Sequence, residues 1–321
     1  MSLFPRQYTP VLADLPYGPN SNVYYVDPAN GDDDNTGLVR EHPKKTILDA
    51  YNQCVSGQND VVAYIAGTSG ETLAAAFTWS KSYTHLVGLV APVHTAQRAR
   101  IFAPAAGTHP VLWTVSGTGC IFKNIYWFNG TADAAALGLV LVTGGRCYFE
   151  NCHFAGPGNA ANAIDGGYAL GISGADGEHL FKNCTIGLDT INAGTGFRTM
   201  ALLGGYPPRL VFEDCIFQIG ASHKDAMFVE CLGAGGNSPW GQSWHLYKNC
   251  YFFNVGAVAL DTAFEIPVAD PANQYIMLIN CWRNAKVDDF DDSAAGCVWV
   301  GGSPDMGTAS SMGDMIVATA T

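Results

Sequence analysis

Apolar residues fall along this chain in short runs rich in Val, Ile, Phe, Tyr and Leu, separated by Gly, Asn or Pro and without helical period through the body of the chain. That pattern predicts β-strands joined by turns. One run is written six times. Residues 146–154, Arg-Cys-Tyr-Phe-Glu-Asn-Cys-His-Phe, are one copy, and 120–127, 179–186, 210–217, 245–252 and 276–283 are the others. Their central residues, Asn124, Asn151, Asn183, Asp214, Asn249 and Asn280, follow one another at steps of 27, 32, 31, 35 and 31 residues. A near-constant step of this size predicts a solenoid in which each repeat is one coil stacked on the last.

Within the motif, Phe149 and Cys152 both face inward only if the chain bends at Asn151 and restarts the alternation. Asn suits such a bend because it tolerates a positive φ and bonds the backbone locally. Stacked coils would align the six central residues as a structural ladder, with strands about 4.8 Å apart. The outward position before the Asn reads Lys123, Glu150, Lys182, Glu213, Lys248, Ile279, alternating in charge from coil to coil. The outward position three before it reads Ile121, Tyr148, Leu180, Val211, Leu246, Met277, and the one after the Cys reads Tyr126, His153, Thr185, Ile216, Tyr251, Trp282. Together these make an apolar flank taller than a soluble monomer leaves in water. A neighbouring subunit, the chain's own arm or loops, or a sugar lying across Tyr251 and Trp282 would cover it. Aliphatic side chains suit protein packing, so the expected subunit interface is Ile121, Tyr148, Leu180, Val211, Leu246 and Met277 with Ile216, Tyr251 and Trp282, in a three-fold bundle.

The repeated x-Phe-[Lys/Glu]-Asn-Cys-x-Phe pattern resembles the right-handed parallel β-helix proteins of the pectin-lyase-like superfamily. The entry segment is similar too: Tyr24-Tyr25-Val26-Asp27-Pro28-Ala29-Asn30-Gly31-Asp32-Asp33-Asp34-Asn35-Thr36-Gly37, then Pro43-Lys44-Lys45-Thr46-Ile47-Leu48-Asp49-Ala50. The resemblance spans about residues 23 to 300 and implies an all-β, right-handed parallel β-helix. It says little about activity, because this scaffold hosts lyases, hydrolases, tailspikes and inert structural proteins.

Composition narrows the picture. Charged residues are 14% of the 321 and Gly is 37, which fits a stacked β body with many turns. A net charge of −12 argues against nucleic acid or an anionic membrane as a partner. No run is long enough to cross a bilayer, and the first ten residues do not read as a secretory signal. Five of the ten cysteines (152, 184, 215, 250, 281) share one motif position, so stacked thiols and cytoplasmic synthesis are expected rather than a disulfide scaffold.

In order, residues 1–22, with prolines at 5, 10, 16 and 19, read as an extended arm, 23–60 as an N-terminal cap, 61–302 as the β-helix body and 303–321 as a tail. Ile47, Leu48, Ala50, Tyr51 and Cys54 lie at helical spacing, predicting a short helix that closes the open end. Asp32, Asp33, Asp34 and Asn35 lack the distant Glu of a Ca²⁺ loop, so a capped turn is the stronger reading. The connections 156–167, 190–197, 233–241 and 266–274 would protrude, where such a scaffold carries specificity.

Chemistry is harder to find. A lyase on this scaffold would need clustered Asp ligands with a nearby Arg or Lys base, and a hydrolase a carboxylate pair. The Asn-Thr-Asp, Gly-His-Gly and Arg-Ile-Lys signatures of polygalacturonase-type enzymes are missing. Asp288, Asp289, Asp291 and Asp292, flanked by Lys286 and Arg283, form the leading acidic cluster, read first as a solvated turn; Asp261 and Glu265 read as solvent-facing. No His pair has ligand spacing, so zinc is not expected, and His179 and His245 read as buried imidazoles. No cofactor and no catalytic residue is assigned. The expectation is a non-enzymatic structural protein, resembling bacteriophage capsid decoration or cement proteins and short spikes, trimeric, located in the virion and bound to the major capsid protein. The alternative is a β-helix polysaccharide depolymerase or lyase, and a third reading is a surface carbohydrate-binding module centred on Trp282.

Overall fold

The computed structural model describes residues 15–16, 18–67, 70–103, 109–174, 177–203, 209–232, 244–265, 275–284, 286–291 and 298–301. These form a parallel β-solenoid with three long sheets, each taking one strand from nearly every coil. Sheet A runs from Val23–Val26 to Val298–Gly301 and contains the first half of every motif. Sheet B runs from Glu71–Thr72 to Trp282–Arg283 and contains the second half. Sheet C runs from Phe77–Trp79 to Val287–Asp291 and contains the second apolar run of each coil.

The bend between sheets A and B is made by the repeated Asn. Asn124, Asn151, Asn183, Asp214, Asn249 and Asn280 all sit at φ between 51° and 57°. This left-handed region costs an ordinary L-residue roughly 1–2 kcal/mol, and Asn and Asp offset part of it with short polar side chains. Those side chains bond along the column: Asn151 Nδ2 donates to Asn124 Oδ1 at 3.2 Å, Asn249 to Asp214 at 3.0 Å and Asn280 to Asn249 at 3.4 Å.

Because each bend restarts the alternation, the Phe before the Asn and the Cys after it both point into the solenoid and are fully buried. Phe122, Phe149, Phe181, Phe212 and Tyr247 stack nearly parallel at centroid distances of 5.0, 4.7, 4.7 and 4.9 Å. The described cysteines are free thiols, each buried. Cys152 Sγ donates to the carbonyls of Phe122 and Glu150, and Cys184 repeats this one coil on.

The helix Ile47–Gln53 starts at Thr46, whose hydroxyl accepts from Asp49 N–H, and closes the N-terminal end. Ile47, Ala50 and Tyr51 face the core, with Tyr51 against Trp79 at 4.5 Å, whereas Leu48 turns to solvent. The buried Glu71 carboxyl receives Ile47 N–H at 2.9 and 3.0 Å, and burial pushes its pKa up to about 8. In the acidic loop, Asp33 accepts from the N–H groups of Lys45 and Thr46, making it the cap of this turn. The connection at 190–197 contains a short strand, Asn192–Ala193, paired with Ile216–Ala221, so it lies flatter than the expected protruding loop. The connections at 233–241 and 266–274 lie outside the described residues, as do the arm at 1–14 and the tail at 302–321.

Candidate active site

On the outer face of sheet C, four neighbouring coils bring charged groups together. Tyr168, Arg198 and Met227 follow one another in register, and beside them run Gly171, Ala201, Glu230 and Glu265. Arg198 packs directly against Glu230 in an ion pair, with only 7% and 14% of the two side chains exposed. The guanidinium also donates to Gly196 O at 3.0 Å and lies 3.6 Å from Asp165, which comes from the 156–167 connection.

Two glycines make room for Tyr168, whose ring lies back over the preceding coil: a β-carbon at Gly171 would meet the ring at 2.6 Å, and one at Gly138 would meet its hydroxyl at 2.6 Å. Tyr168 is buried, and its hydroxyl is held up at about 12 chiefly by burial, against the pull of Arg198.

Glu230 is the poised group. Burial disfavours its charged form, Arg198 opposes that, and the negative charges of Glu265 and Asp165 reinforce it, leaving its pKa pushed up to about 7. The balance follows from geometry: one cation is shared among several acids in a partly desolvated place. A carboxyl titrating near neutrality beside a second carboxylate is what general acid–base chemistry requires.

None of Arg198, Glu230, Asp165 or Tyr168 is expected from sequence reasoning, and Glu265 is read there as solvent-facing. It is exposed, but it adjoins Glu230 on the next strand. The signal in the sequence was partial: Glu230 and Glu265 are equivalent positions of successive coils, but the residue in register with Glu230 on the coil before is Ala201, three positions beyond Arg198. Asp288, Asp289 and Asp291 do not lie in a turn. Val287–Asp291 is a strand of sheet C in which Asp289 pairs with Thr262 and Asp291 with Phe264, because the solenoid continues one more coil and the backbone there finds a ladder partner. Asp292 lies outside the described residues. Asp261 pairs with Lys224 at 2.6 Å. Among the described residues, no group of three or more His, Cys, Asp or Glu is placed to hold a metal ion.

The expected interface residues lie on two faces. Ile121, Tyr148, Leu180, Val211, Leu246 and Met277 form one outer column of sheet A, each half-buried, and Leu15 packs on Val61 and Val87 next to Ile121 at its N-terminal end. Beside them Lys123 pairs with Glu150 at 2.9 Å and Lys248 approaches Glu213 at 3.9 Å. Ile216, Tyr251 and Trp282 lie on sheet B. There the chain covers part of its own flank: Thr185 Oγ1 donates to His94 O at 2.6 Å, and Ala96 N–H donates to His153 Nδ1 at 3.1 Å. Nε2 of His153 then donates to Gly187 O, and burial holds this neutral ring's pKa down at about 4. Tyr251 and Trp282 remain 39% and 37% exposed. His179 and His245 are buried in the core, and His179 Nδ1 accepts from Cys147 N–H.

No family model matches this chain, and no curated protein matches it in sequence. Solved structures do match its fold. The pectin methylesterase PemA from Erwinia chrysanthemi aligns with a TM-score of 0.60 at 16% identity, over 94% of this chain and 92% of that one. A pectin methylesterase mutant in complex with a hexasaccharide aligns at 0.58 and 15%, over 94% and 92%. The pectin methylesterase from Aspergillus niger aligns at 0.58 and 14%, over 94% and 91%. At these identities the likeness is one of fold. The class so defined is one of fold, the right-handed parallel β-helix. The expectation of a non-enzymatic bacteriophage structural protein is overturned by these full-length matches, which are polysaccharide-processing enzymes and not virion components. Stacking repeats specify a scaffold and carry no information on chemistry.

Proposed function

We propose that this chain is a polysaccharide-processing enzyme whose active site is the outer face of sheet C around Arg198, Glu230 and Glu265. The observation that carries the reading is the shielded Arg198–Glu230 pair with Glu265 on the adjoining strand. The fold matches to pectin methylesterases, one of them holding a hexasaccharide, support it as analogy. Strands stack across the long axis of a solenoid, so its sheet faces suit an extended polymer.

The chemistry follows from the two carboxyls. Glu230, protonated up to about neutral pH, donates its proton to the departing oxygen of the scissile linkage. Glu265, negatively charged beside it, attacks the carbon of that linkage. The two residues stand in register on adjoining strands, the side-by-side placement that direct attack calls for. Water then cleaves the covalent intermediate, giving its proton to Glu230 and releasing Glu265. Arg198 holds Glu230 in place and limits the rise of its pKa. β-Elimination fits less well, since it needs a stronger base than Glu230.

Incubation with a panel of pectic and capsular polysaccharides, following new reducing ends, unsaturated products and released methanol or acetate, tests the reading. Hydrolytic product is expected, and Glu230→Gln should lower its rate about a hundredfold or more while leaving the fold intact. Activity untouched by Glu230→Gln and Glu265→Gln would reject this site.

A further inference from the structure

A concave site lies on sheet A, a different face from the charged patch on sheet C. It is a groove of about 470 Å³ lined by Arg146, Cys147, Tyr148, Gly177, Glu178, Leu180 and Arg209. Glu178 and Arg209 are direct neighbours on adjoining strands. Two observations set this groove apart from an ordinary solvated surface.

The first is that Arg146 and Arg209 make no ion pair among the described residues, although the chain carries a net charge of −12 and Lys123 and Lys248 in the next column over both have carboxylate partners. The second is that Arg146 and Arg209 stand on coils either side of Glu178 and line the same groove. Arg146 itself sits at φ +53° in the turn that leads into sheet A, where Asn59, Tyr83, Gly119 and Gly177 also have positive φ. Its stem is also confined: a β-carbon on Gly177 would come within 2.8 Å of Arg146 Cγ, so the glycine is what lets the side chain lie against that turn. The Arg146, Glu178 and Arg209 side chains are all exposed along the groove.

From this arrangement we infer that the sheet A groove is a binding site for an acidic saccharide, separate from the site of the reaction. The two guanidinium groups are suited to pair with the sugar's carboxylate in fork geometry. Glu178 between them accepts from hydroxyls, and Tyr148 with Leu180 offers an apolar floor to the ring face. Two cations and one anion leave a single net positive charge, which suits one carboxylate better than a dense polyanion. The ligand class rests on the reading of the chain as polysaccharide-processing; the groove and its charge do not.

Titration calorimetry on the intact chain tests this with three probes: a uronic acid trisaccharide, a neutral hexose trisaccharide and inorganic sulfate. The acidic trisaccharide should bind, the neutral one should not, and Arg146→Ala and Arg209→Ala should each weaken binding about tenfold or more. Thermal melting should show both variants folded, and Arg209→Lys provides a milder second probe. The same titration on Glu230→Gln separates this site from the catalytic reading, because binding should persist there whether or not turnover is found. No binding of the acidic trisaccharide, binding unchanged in the Arg146→Ala and Arg209→Ala double variant, or sulfate binding as tightly as the saccharide would overturn the assignment.

Discussion

Glu71 and His153 show how burial sets the charge of single residues in this solenoid, and they give opposite pH dependences. Glu71, raised to about 8 from an ordinary 4.5, keeps its proton in the folded state where the unfolded chain has lost it. Its contribution to stability is fully present below pH 4.5 and is lost as pH rises through about 8. Thermal melting of Glu71→Gln should therefore lose part of the decline that the parent chain shows over that window. His153, lowered to about 4 from 6.5, contributes stability above 6.5 that is lost as pH falls through about 4. In His153→Gln, the acid side of the melting profile should become shallower, while a profile identical to the parent would mean that the ring is not buried neutral under the 91–98 segment. Neither behaviour was legible in the sequence. A lone Glu or His between apolar neighbours looks the same whether it caps a helix, pins a loop or meets solvent, and only the coil stacking decides.

At the scale of the element, the repeated bend was legible because six successive coils make the same turn, five with Asn and one with Asp. Asn151→Ala removes both the tolerance of positive φ and the bond to Asn124, so a loss of about 1–2 kcal/mol is expected in chemical denaturation. Asn151→Gly restores the backbone freedom but not the amide, and it should recover part of that loss. Equal losses in the two variants would mean that backbone strain contributes nothing. Phe181, sandwiched between Phe149 and Phe212, is expected to cost about 3–5 kcal/mol on truncation to Ala. The charged patch was illegible at this scale for a related reason. Arg198 opens the strand Arg198–Leu203 and Glu265 closes the strand Leu260–Glu265, at the edges of apolar runs that draw attention to their middles. Only the β-ladder brings those two edges beside Glu230.

Over the whole molecule, one stacking rule produces three faces with different surfaces. Sheet A presents alternating charge and an aliphatic column, sheet B an aromatic flank partly roofed by the chain itself, and sheet C the shielded acids. The fold followed from the repeat, since a constant step with one invariant bend admits few architectures. The function did not, because the chemistry occupies outward positions that stacking leaves free to vary. The apolar flank expected to form a subunit interface is half-buried along sheet A and partly self-covered on sheet B, with Tyr251 and Trp282 left exposed. The account stands or falls on Glu230 as the proton donor. Its most direct test is the pH dependence of kcat/KM on whichever polysaccharide the chain turns over. The rate should fall as pH rises through about 7, where Glu230 loses its proton, and replacing Arg198 by Ala should move that fall to higher pH. A rate that climbs through the same range, or a fall that stays in place in Glu230→Gln, would contradict it.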